Sequence, residues 1–370
     1  MGGSLGGYII PFLFVLSIVV FFHELGHFMV ARWCGVRVLT FSVGFGPELF
    51  GWNDKQGTRW KLAAIPLGGY VKFAGDENAA SVPDHEILDR MTAAEKSGAF
   101  HLKPVSQRAA IVAAGPIANF ILATVIFACI FSVVGQPIIQ ARVDTVNQDS
   151  AAAEAGFQPG DLVVSIEGKE ISGFNDMQRI VSVSAERELS FVVERGGIDV
   201  ELTATPRLRE VTDRFGNAQR IGLLGISRST EPEDVVVQRY NPLTATWMGV
   251  GEVYFIIDRT LSYIWGLVAG RESADQLGGP IRIAQMSGDV ATLGIAPLFQ
   301  LAAVLSVSIG LLNLFPVPML DGGHLVYYAV EALRGKPLSE KTQEWGFKVG
   351  LALVLMLMVF ATWNDITRLL

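Results

Sequence analysis

The 370-residue chain has little charge for its length. Asp, Glu, Lys and Arg together make up 18% of the residues, whereas half of the residues are hydrophobic. This composition is typical of membrane proteins and argues against an ordinary soluble enzyme. The formal net charge of −7 and the lack of a basic run argue against nucleic acid as a partner.

Cysteine is also scarce, since Cys34 and Cys129 are the only two and both fall in or beside apolar segments. The sequence therefore predicts no disulfide framework, and we interpret both as small apolar packing residues. The start of the chain, MGGSLGGYII, lacks the positive charge of a signal peptide. We therefore expect the first apolar run to be retained as a membrane span.

Four apolar segments are long enough to cross a bilayer, which takes about 20 helical residues. They cover residues 8–31, 108–135, 295–317 and 347–365. A fifth stretch, 243–270, carries Glu252, Asp258 and Arg259, which make crossing costly. We expect that stretch to be an amphipathic helix that lies on the outer face of the same membrane.

The polar segments between the spans carry strand patterns. Residues 38–52 and 58–73 mix aromatic, β-branched and glycine residues, which predicts short strands with glycine turns. Residues 76–104 predict a surface loop with short helical pieces, in which His85 and His101 are interpreted as surface histidines. Alternating apolar and polar residues predict a small β-rich domain with one or two helices. The proposed division of the chain is 1–135, 136–230, 231–292 and 293–370.

Lys and Arg near the span ends predict the orientation. They flank the 32–107 loop and fill the short loop between the third and fourth spans. We therefore expect those loops in the cytoplasm, and the N-terminus and the β-rich domain on the other side.

The first span contains HELGH at residues 23–27. His23 and His27 lie four residues apart, so both imidazoles project from one helix face and can reach one metal ion. Glu24 between them could serve as general base toward a water molecule at that ion. Polar groups at mid-bilayer cost about 2.5 to 3.5 kcal/mol each, which favours a functional cavity over chance. Zinc is the metal that imidazole and carboxylate ligands at an open site suit best.

A catalytic zinc site needs a third protein ligand, and Asp321 in NLFPVPMLDGGH is the candidate. Pro316 and Pro318 break the third span there, and Gly322 and Gly323 could form a tight turn that aims the carboxylate. The side chain of His324 is the alternative ligand. The two histidines and Asp321 meet at one depth only if residues 243–270 do not cross the membrane.

The constellation of HELGH, LDGG and an interposed β-rich domain resembles the site-2 proteases, a family of intramembrane zinc metalloproteases. Within them the chain is most similar to the bacterial regulator-of-sigma-E protease group in its single-PDZ form. The resemblance spans nearly the whole chain and includes GFGP at 44–47, IPLGGYVK at 65–72, GPIANF at 115–120 and NLFPVPMLDGG at 313–323.

The resemblance implies one Zn²⁺ held by His23, His27 and Asp321, with Glu24 as the catalytic base. It implies an α-helical polytopic membrane protein with four transmembrane helices, a membrane-associated β-hairpin and one inserted PDZ domain. The hairpin would pair with an unwound substrate segment by strand addition. The implied substrate-binding residues are Asn313, Gly44, Phe45, Gly46, Gly68, Gly69 and Tyr70.

For GPIANF, we interpret Gly115 and Ala118 as small residues for close helix packing, and the role of Asn119 stays open. The PDZ domain would bind a peptide terminus, with IGLLGI at 221–226 as a candidate loop, or exclude bulky substrates by size, which we favour.

The implied setting is a bacterial inner membrane with the active site toward the cytoplasm. Substrates would be single-span membrane proteins already trimmed by a periplasmic protease, such as an anti-sigma factor or a signal-peptide remnant. A non-catalytic scaffold is less compatible, because the base and all three ligands are present. A metal transporter would string its ligands along a path, whereas these cluster at one depth.

Overall fold

The computed structural model describes residues 5–76, 90–138, 140–212, 218–227, 236–274 and 278–369. His85, which was interpreted as a surface histidine, lies outside these residues. The chain forms two compact units. One comprises Met1–Cys129, Leu243–Thr260 and Leu277–Leu370, and the other comprises Ile130–Pro242 and Leu261–Gln276.

The helices are α1 (Leu5–Trp33), α2 (Ala93–Ser97), α3 (Val105–Cys129), α4 (Ala151–Glu154), α5 (Phe174–Val183), α6 (Pro242–Val268), α7 (Pro280–Ala291), α8 (Ile295–Asn313), α9 (Asp321–Arg334) and α10 (Glu340–Leu369). A 3₁₀ turn covers Phe100–Leu102, and a π-helical segment, Ile130–Val134, continues α3. The strands are β1 (Val38–Asn53), β2 (Arg59–Phe73), β3 (Gln136–Ile138), β4 (Thr145–Val146), β5 (Leu162–Ile166), β6 (Lys169–Glu170), β7 (Leu189–Arg195), β8 (Ile198–Ala204), β9 (Arg207–Thr212), β10 (Ala218–Leu223), β11 (Ile226–Ser227) and β12 (Val236–Gln238).

Four helices are long and apolar enough to cross a membrane, which agrees with the four predicted spans. They cover Gly6–Trp33, Val105–Val134, Ile295–Asn313 and Lys341–Arg368. Helix α6 is not among them within the described part of the chain. The third span was predicted to reach residue 317, but α8 ends at Asn313. It ends early because Pro316 has no N–H for a helical hydrogen bond and disfavours helical geometry in the residue before it.

Small residues bring α1 and α3 into close contact. A side chain at Gly26 would overlap the backbone of Ala114 and lie 2.7 Å from the β-carbon of Ala118. In a lipid environment, this close backbone approach is the main source of helix association. Helix α1 also contacts α7, α8 and β2, so it occupies the centre of its unit.

Strands β1 and β2 form an antiparallel hairpin in which each strand bends back on itself. Residues 38–43 pair with 69–73 on one side and with 59–62 on the other, and 59–65 also pair with 45–53. The prediction of short strands was therefore wrong about their length. Gly44 and Gly46 adopt φ values of 91° and 85°, so they bend β1 without ending it.

The tip of the hairpin is tied to the end of α1. The carboxylate of Asp54 accepts hydrogen bonds from the Arg32 guanidinium, the Trp60 indole and the backbone N–H groups of Gln56 and Thr58. Burial alone raises the pKa of Asp54, but these hydrogen bonds outweigh it and lower the pKa to about 2. Asp54 is therefore ionised at neutral pH.

Two predictions outside the site are corrected. His101 is not a free surface histidine, because its Nε2 lies 2.9 Å from a carboxylate oxygen of the buried Asp76. Cys129 does not pack in the protein interior, because it is exposed, whereas Cys34 is partly buried. An exposed cysteine in a helix of this length and hydropathy is compatible with a lipid-facing position.

The second unit contains a four-stranded antiparallel sheet in the order β6-β5-β7-β8. Shorter pairs join β9 to β10, β4 to β11 and β3 to β12. Alternate residues of β5 and β7 point into one core, where Val163, Phe191 and Val193 are at most 1% exposed. Helices α4 and α5 contribute to the same core, as the alternating pattern predicted.

Candidate active site

Helix α1 presents the HELGH motif to a cavity. His23, Glu24 and His27 all line this cavity, whose volume is about 570 Å³. His23 and His27 share a helix face because four residues span slightly more than one turn. Nε2 of His23 and Nε2 of His27 lie 3.2 Å apart.

Asp321 enters the cavity from the first position of α9. Helix α8 ends at Asn313, and a segment of turns that contains Pro316 and Pro318 separates it from α9. The prediction that Gly322 and Gly323 form a tight turn was wrong, since both lie inside α9. A side chain at either glycine would overlap the carbonyl groups of the segment before the helix, so the glycines permit a close approach.

Three side-chain atoms converge in the cavity. Oδ2 of Asp321 lies 3.3 Å from Nε2 of His23 and 3.5 Å from Nε2 of His27. This oxygen is buried and has no hydrogen-bond partner among the described residues. Donors placed about 2.0 to 2.1 Å from a tetrahedral zinc ion stand about 3.3 to 3.4 Å apart. The three atoms therefore fit the corners of one zinc site.

Glu24 lies beside these three residues and is 9% exposed. A β-carbon at Gly69 would lie 2.9 Å from Cγ of Glu24 and 2.8 Å from the Ser42 carbonyl oxygen. The glycine therefore allows β2 to pass close to the glutamate. The carboxylate of Glu24, the three potential metal ligands and strand β2 therefore all border the same cavity.

The end of β2 borders the cavity along its edge. The lining includes Gly68, Gly69, Tyr70 and Val71. Successive side chains of a strand point to opposite faces, so a consecutive lining segment indicates that the strand edge borders the space. Residues 69–71 of this segment pair with residues 41–43 of β1, and no second strand pairs with these three residues among the described strands.

Most of the predicted substrate-binding residues lie at the cavity. Asn313 and Phe45 line it together with the β2 residues. Gly44 and Gly46 do not line it within the described structure, and they instead form the bend that carries Phe45. A β-carbon at Gly44 would lie 2.8 Å from the carbonyl oxygen of Ile65.

The structure also brings residues to the site that the sequence pattern did not single out. Val20 and Phe347 line the cavity. Val20 could have been found, because it lies three residues before His23 on the same helix face. Phe347 lies in α10, more than 300 positions after His23, and the sequence around it carries no motif that would indicate a site.

Two further titratable groups line the cavity from α9. Burial lowers the pKa of His324, which favours its neutral form, and its ring is not part of the three-atom cluster. Burial raises the pKa of Tyr328 to about 12, so its phenol keeps its proton at neutral pH. Burial therefore favours the uncharged form of both side chains.

Comparison with known proteins places the chain among peptidases. The model of peptidase family M50 matches residues 11–357. A protein of Agrobacterium fabrum named as a zinc metalloprotease is 52% identical over 100% of this chain and 98% of its own length. A metalloprotease of Caulobacter vibrioides is 44% identical over 97% of this chain and 95% of its own length.

Among solved structures, a PDZ domain of an SdrC-like protein from Listeria monocytogenes covers 23% of this chain and 83% of that chain. The identity is 17% and the TM-score is 0.19.

Proposed function

Because the chain belongs to peptidase family M50, the site-2 protease family of zinc metalloproteases, we propose that it cuts peptide bonds within the transmembrane segments of single-span membrane proteins. One observation carries this proposal. Glu24, His23, His27 and Asp321 share a cavity with the edge of β2, and α1, which carries the first three of these residues, is apolar enough to cross a membrane.

His23, His27 and Asp321 are the proposed zinc ligands. Zinc at such a site polarises a carbonyl and lowers the pKa of water, which makes hydrolysis feasible at neutral pH. Glu24 is the proposed base: it takes a proton from the attacking water and then gives a proton to the leaving amine. Its position against Gly69 keeps the carboxylate next to the strand edge.

The strand edge accounts for how a membrane helix becomes a substrate. A transmembrane helix hides its peptide groups in internal hydrogen bonds and must be unwound before attack. In the proposed mechanism, residues 69–71 of β2 take over those hydrogen bonds as the unwound substrate pairs with them as an added strand. Asn313 and Phe45 would contact the same extended segment from the other cavity walls.

The proposed setting is a bacterial inner membrane, with the N-terminus and the β-rich unit in the periplasm and the metal site toward the cytoplasm. The substrate class is a single-span protein first trimmed by a periplasmic protease, such as an anti-sigma factor or a signal-peptide remnant. The β-rich unit, proposed to be a PDZ domain, would exclude substrates with bulky periplasmic parts or bind a peptide terminus. Helix α6 would lie on the periplasmic face of this inner membrane. Its exposed Trp247, Tyr254 and Trp265 are of the residue types enriched where the membrane meets water.

Cleavage of a reconstituted single-span substrate by the purified zinc-loaded protein tests the proposal. Glu24→Gln should abolish cleavage while the protein still binds one zinc ion, because the base is lost and the ligands stay. Glu201→Gln, on an exposed strand of the β-rich unit, is the matched control and should cleave normally. Persistent cleavage by the Glu24→Gln protein would reject Glu24 as the base.

A further inference from the structure

Both histidines direct their second ring nitrogen toward α3. Nδ1 of His27 donates a hydrogen bond to the carbonyl oxygen of Ile111 at 2.9 Å. Nδ1 of His23 lies 3.2 Å from Nδ2 of Asn119, which is 0% exposed. Oδ1 of Asn119 has no hydrogen-bond partner among the described residues. Among the described side chains, the buried amide of Asn119 is therefore the one that contacts Nδ1 of His23.

The chemistry of a metal ligand fixes which amide atom His23 needs. A neutral imidazole that binds a metal through Nε2 carries its proton on Nδ1, so Nδ1 is a donor. An amide N–H group facing it would place two donors together. The oxygen and nitrogen of an asparagine amide exchange places by a half-turn of the side chain, and the assignment of either position follows from the hydrogen-bond network.

The two positions of the amide differ in what faces them. The position that Oδ1 now occupies has no hydrogen-bond partner for an oxygen among the described residues, so the oxygen loses no hydrogen bond by leaving it. The other position faces Nδ1 of His23, where an oxygen accepts a hydrogen bond and an N–H group conflicts with one. The metal-bound state therefore favours the oxygen toward His23.

We infer that Asn119 is a positioning residue for His23: its side-chain oxygen accepts the Nδ1 hydrogen and so fixes the ring with Nε2 toward Asp321. This inference rests on the zinc site of the proposed function. It gives the motif GPIANF a role in orienting a ligand, in addition to the close packing made by its small residues.

The backbone around Asn119 is held in place by α8. Its carbonyl oxygen accepts a hydrogen bond from the Ser306 hydroxyl at 2.9 Å, and Ser306 is fully buried. A β-carbon at Gly310 would lie 3.1 Å from Cβ of Asn119, which shows how closely the helices approach. Asn119 therefore has a backbone held by α8 and a buried amide that lies against His23.

Zinc affinity, measured on the purified full chain by competition with a chelator, tests this role without relying on cleavage. Asn119→Leu keeps a similar volume but removes the acceptor, and we expect zinc to bind about 10- to 100-fold more weakly. Thr124→Val is the matched control, since the described structure gives the Thr124 hydroxyl one hydrogen bond, to the carbonyl oxygen of Phe120 in its own helix. Its zinc affinity should stay within about twofold of the unsubstituted chain.

Asn119→Asp separates the two possible roles of the amide. A carboxylate keeps the acceptor and loses the donor, so the inference predicts zinc affinity at or above that of the unsubstituted chain. Weak binding by the aspartate variant, or unchanged binding by the leucine variant, would overturn the role of Asn119 alone. If the leucine variant does not fold, the aspartate variant decides between acceptor and donor. Failure of the unsubstituted chain to bind zinc would overturn the zinc site as well.

Discussion

Gly115 shows how one missing side chain permits the ligand arrangement. An added β-carbon there would overlap the His27 ring and lie 2.9 Å from Cε1 of His23. The backbone of α3 can therefore press directly against both imidazoles. That contact leaves the rings little freedom to rotate away from Asp321.

Gly115→Ala should weaken zinc binding, because the methyl group displaces the His27 ring from its position. Overpacking of this kind costs about 1 to 3 kcal/mol, so we expect the zinc affinity to fall by about 5- to 150-fold. Chelator competition measures the affinity. Gly251→Ala is the control, since a β-carbon there meets nothing within 4 Å. Native affinity in the Gly115→Ala protein would show that the helix contact does not hold the rings.

The pair of Asp161 and Arg195 shows residue-scale electrostatics in the β-rich unit. Burial raises the pKa of Asp161, but hydrogen bonds from the Arg195 guanidinium at 2.7 and 2.8 Å and from the Gln158 backbone hold it below its ordinary value. An acid with a lowered folded-state pKa stabilises the fold above its unfolded pKa of about 4. That stabilisation is lost as the pH falls through the folded-state pKa.

Asp161→Asn should therefore destabilise the unit at pH 5 and above, by roughly 1.5 to 3 kcal/mol for the lost charged hydrogen bonds. Below pH 4 the difference between the two proteins should narrow, because the native carboxylate becomes protonated. Hydrogen exchange of the β5 and β7 amides in the full chain measures both stabilities. A difference that stays constant from pH 6 to pH 3 would contradict the assignment.

At the scale of single residues, the three proposed ligands could be named from the sequence, but their surroundings could not. The spacing of His23 and His27 and the helix break before Asp321 are local features that a sequence displays. Asn119 lies 96 positions from His23, and its motif is equally typical of close helix packing. Only the three-dimensional contact shows that the Asn119 amide faces Nδ1 of His23, where two N–H donors would conflict.

At the scale of elements, the hairpin of β1 and β2 decides what the site can hold. Its last segment, 69–73, reaches the cavity because β1 bends at Gly44 and Gly46 and pairs with both halves of β2. The sequence indicated strands and glycine turns, but a positive φ can either end a strand or bend it. Local sequence does not distinguish these outcomes, because whether β1 ends or bends depends on its pairing with both halves of β2.

Gly44→Ala should reduce cleavage while leaving zinc binding intact. The backbone has a φ of 91°, and the new β-carbon would lie 2.8 Å from the Ile65 carbonyl oxygen, so the bend must distort. Gly57→Ala is the matched control, because it also has a positive φ but meets open space. Cleavage rate and zinc content, measured together, test the prediction. Equal losses of zinc and cleavage would argue that the bend supports the metal site instead of the strand edge.

At the scale of the whole molecule, the apolar runs predicted four helices able to span a membrane, and the structure contains four. Their packing was not predictable from hydropathy, because it depends on small contacts such as that of Gly26 with Ala114. Other links join distant segments. Asp365 in α10 accepts hydrogen bonds from the backbone N–H groups of Gly279 and Arg282 at the start of α7.

The proposed metal site also depends on how distant parts of the molecule pack, since α1 and α9 must converge to hold one metal ion. Zinc K-edge X-ray absorption on the purified protein tests it most directly. We predict one zinc ion with two imidazoles and further oxygen ligands, all at about 2.0 to 2.1 Å. A sulfur ligand at about 2.3 Å, or a shell with fewer than two imidazoles, would contradict the site formed by His23, His27 and Asp321.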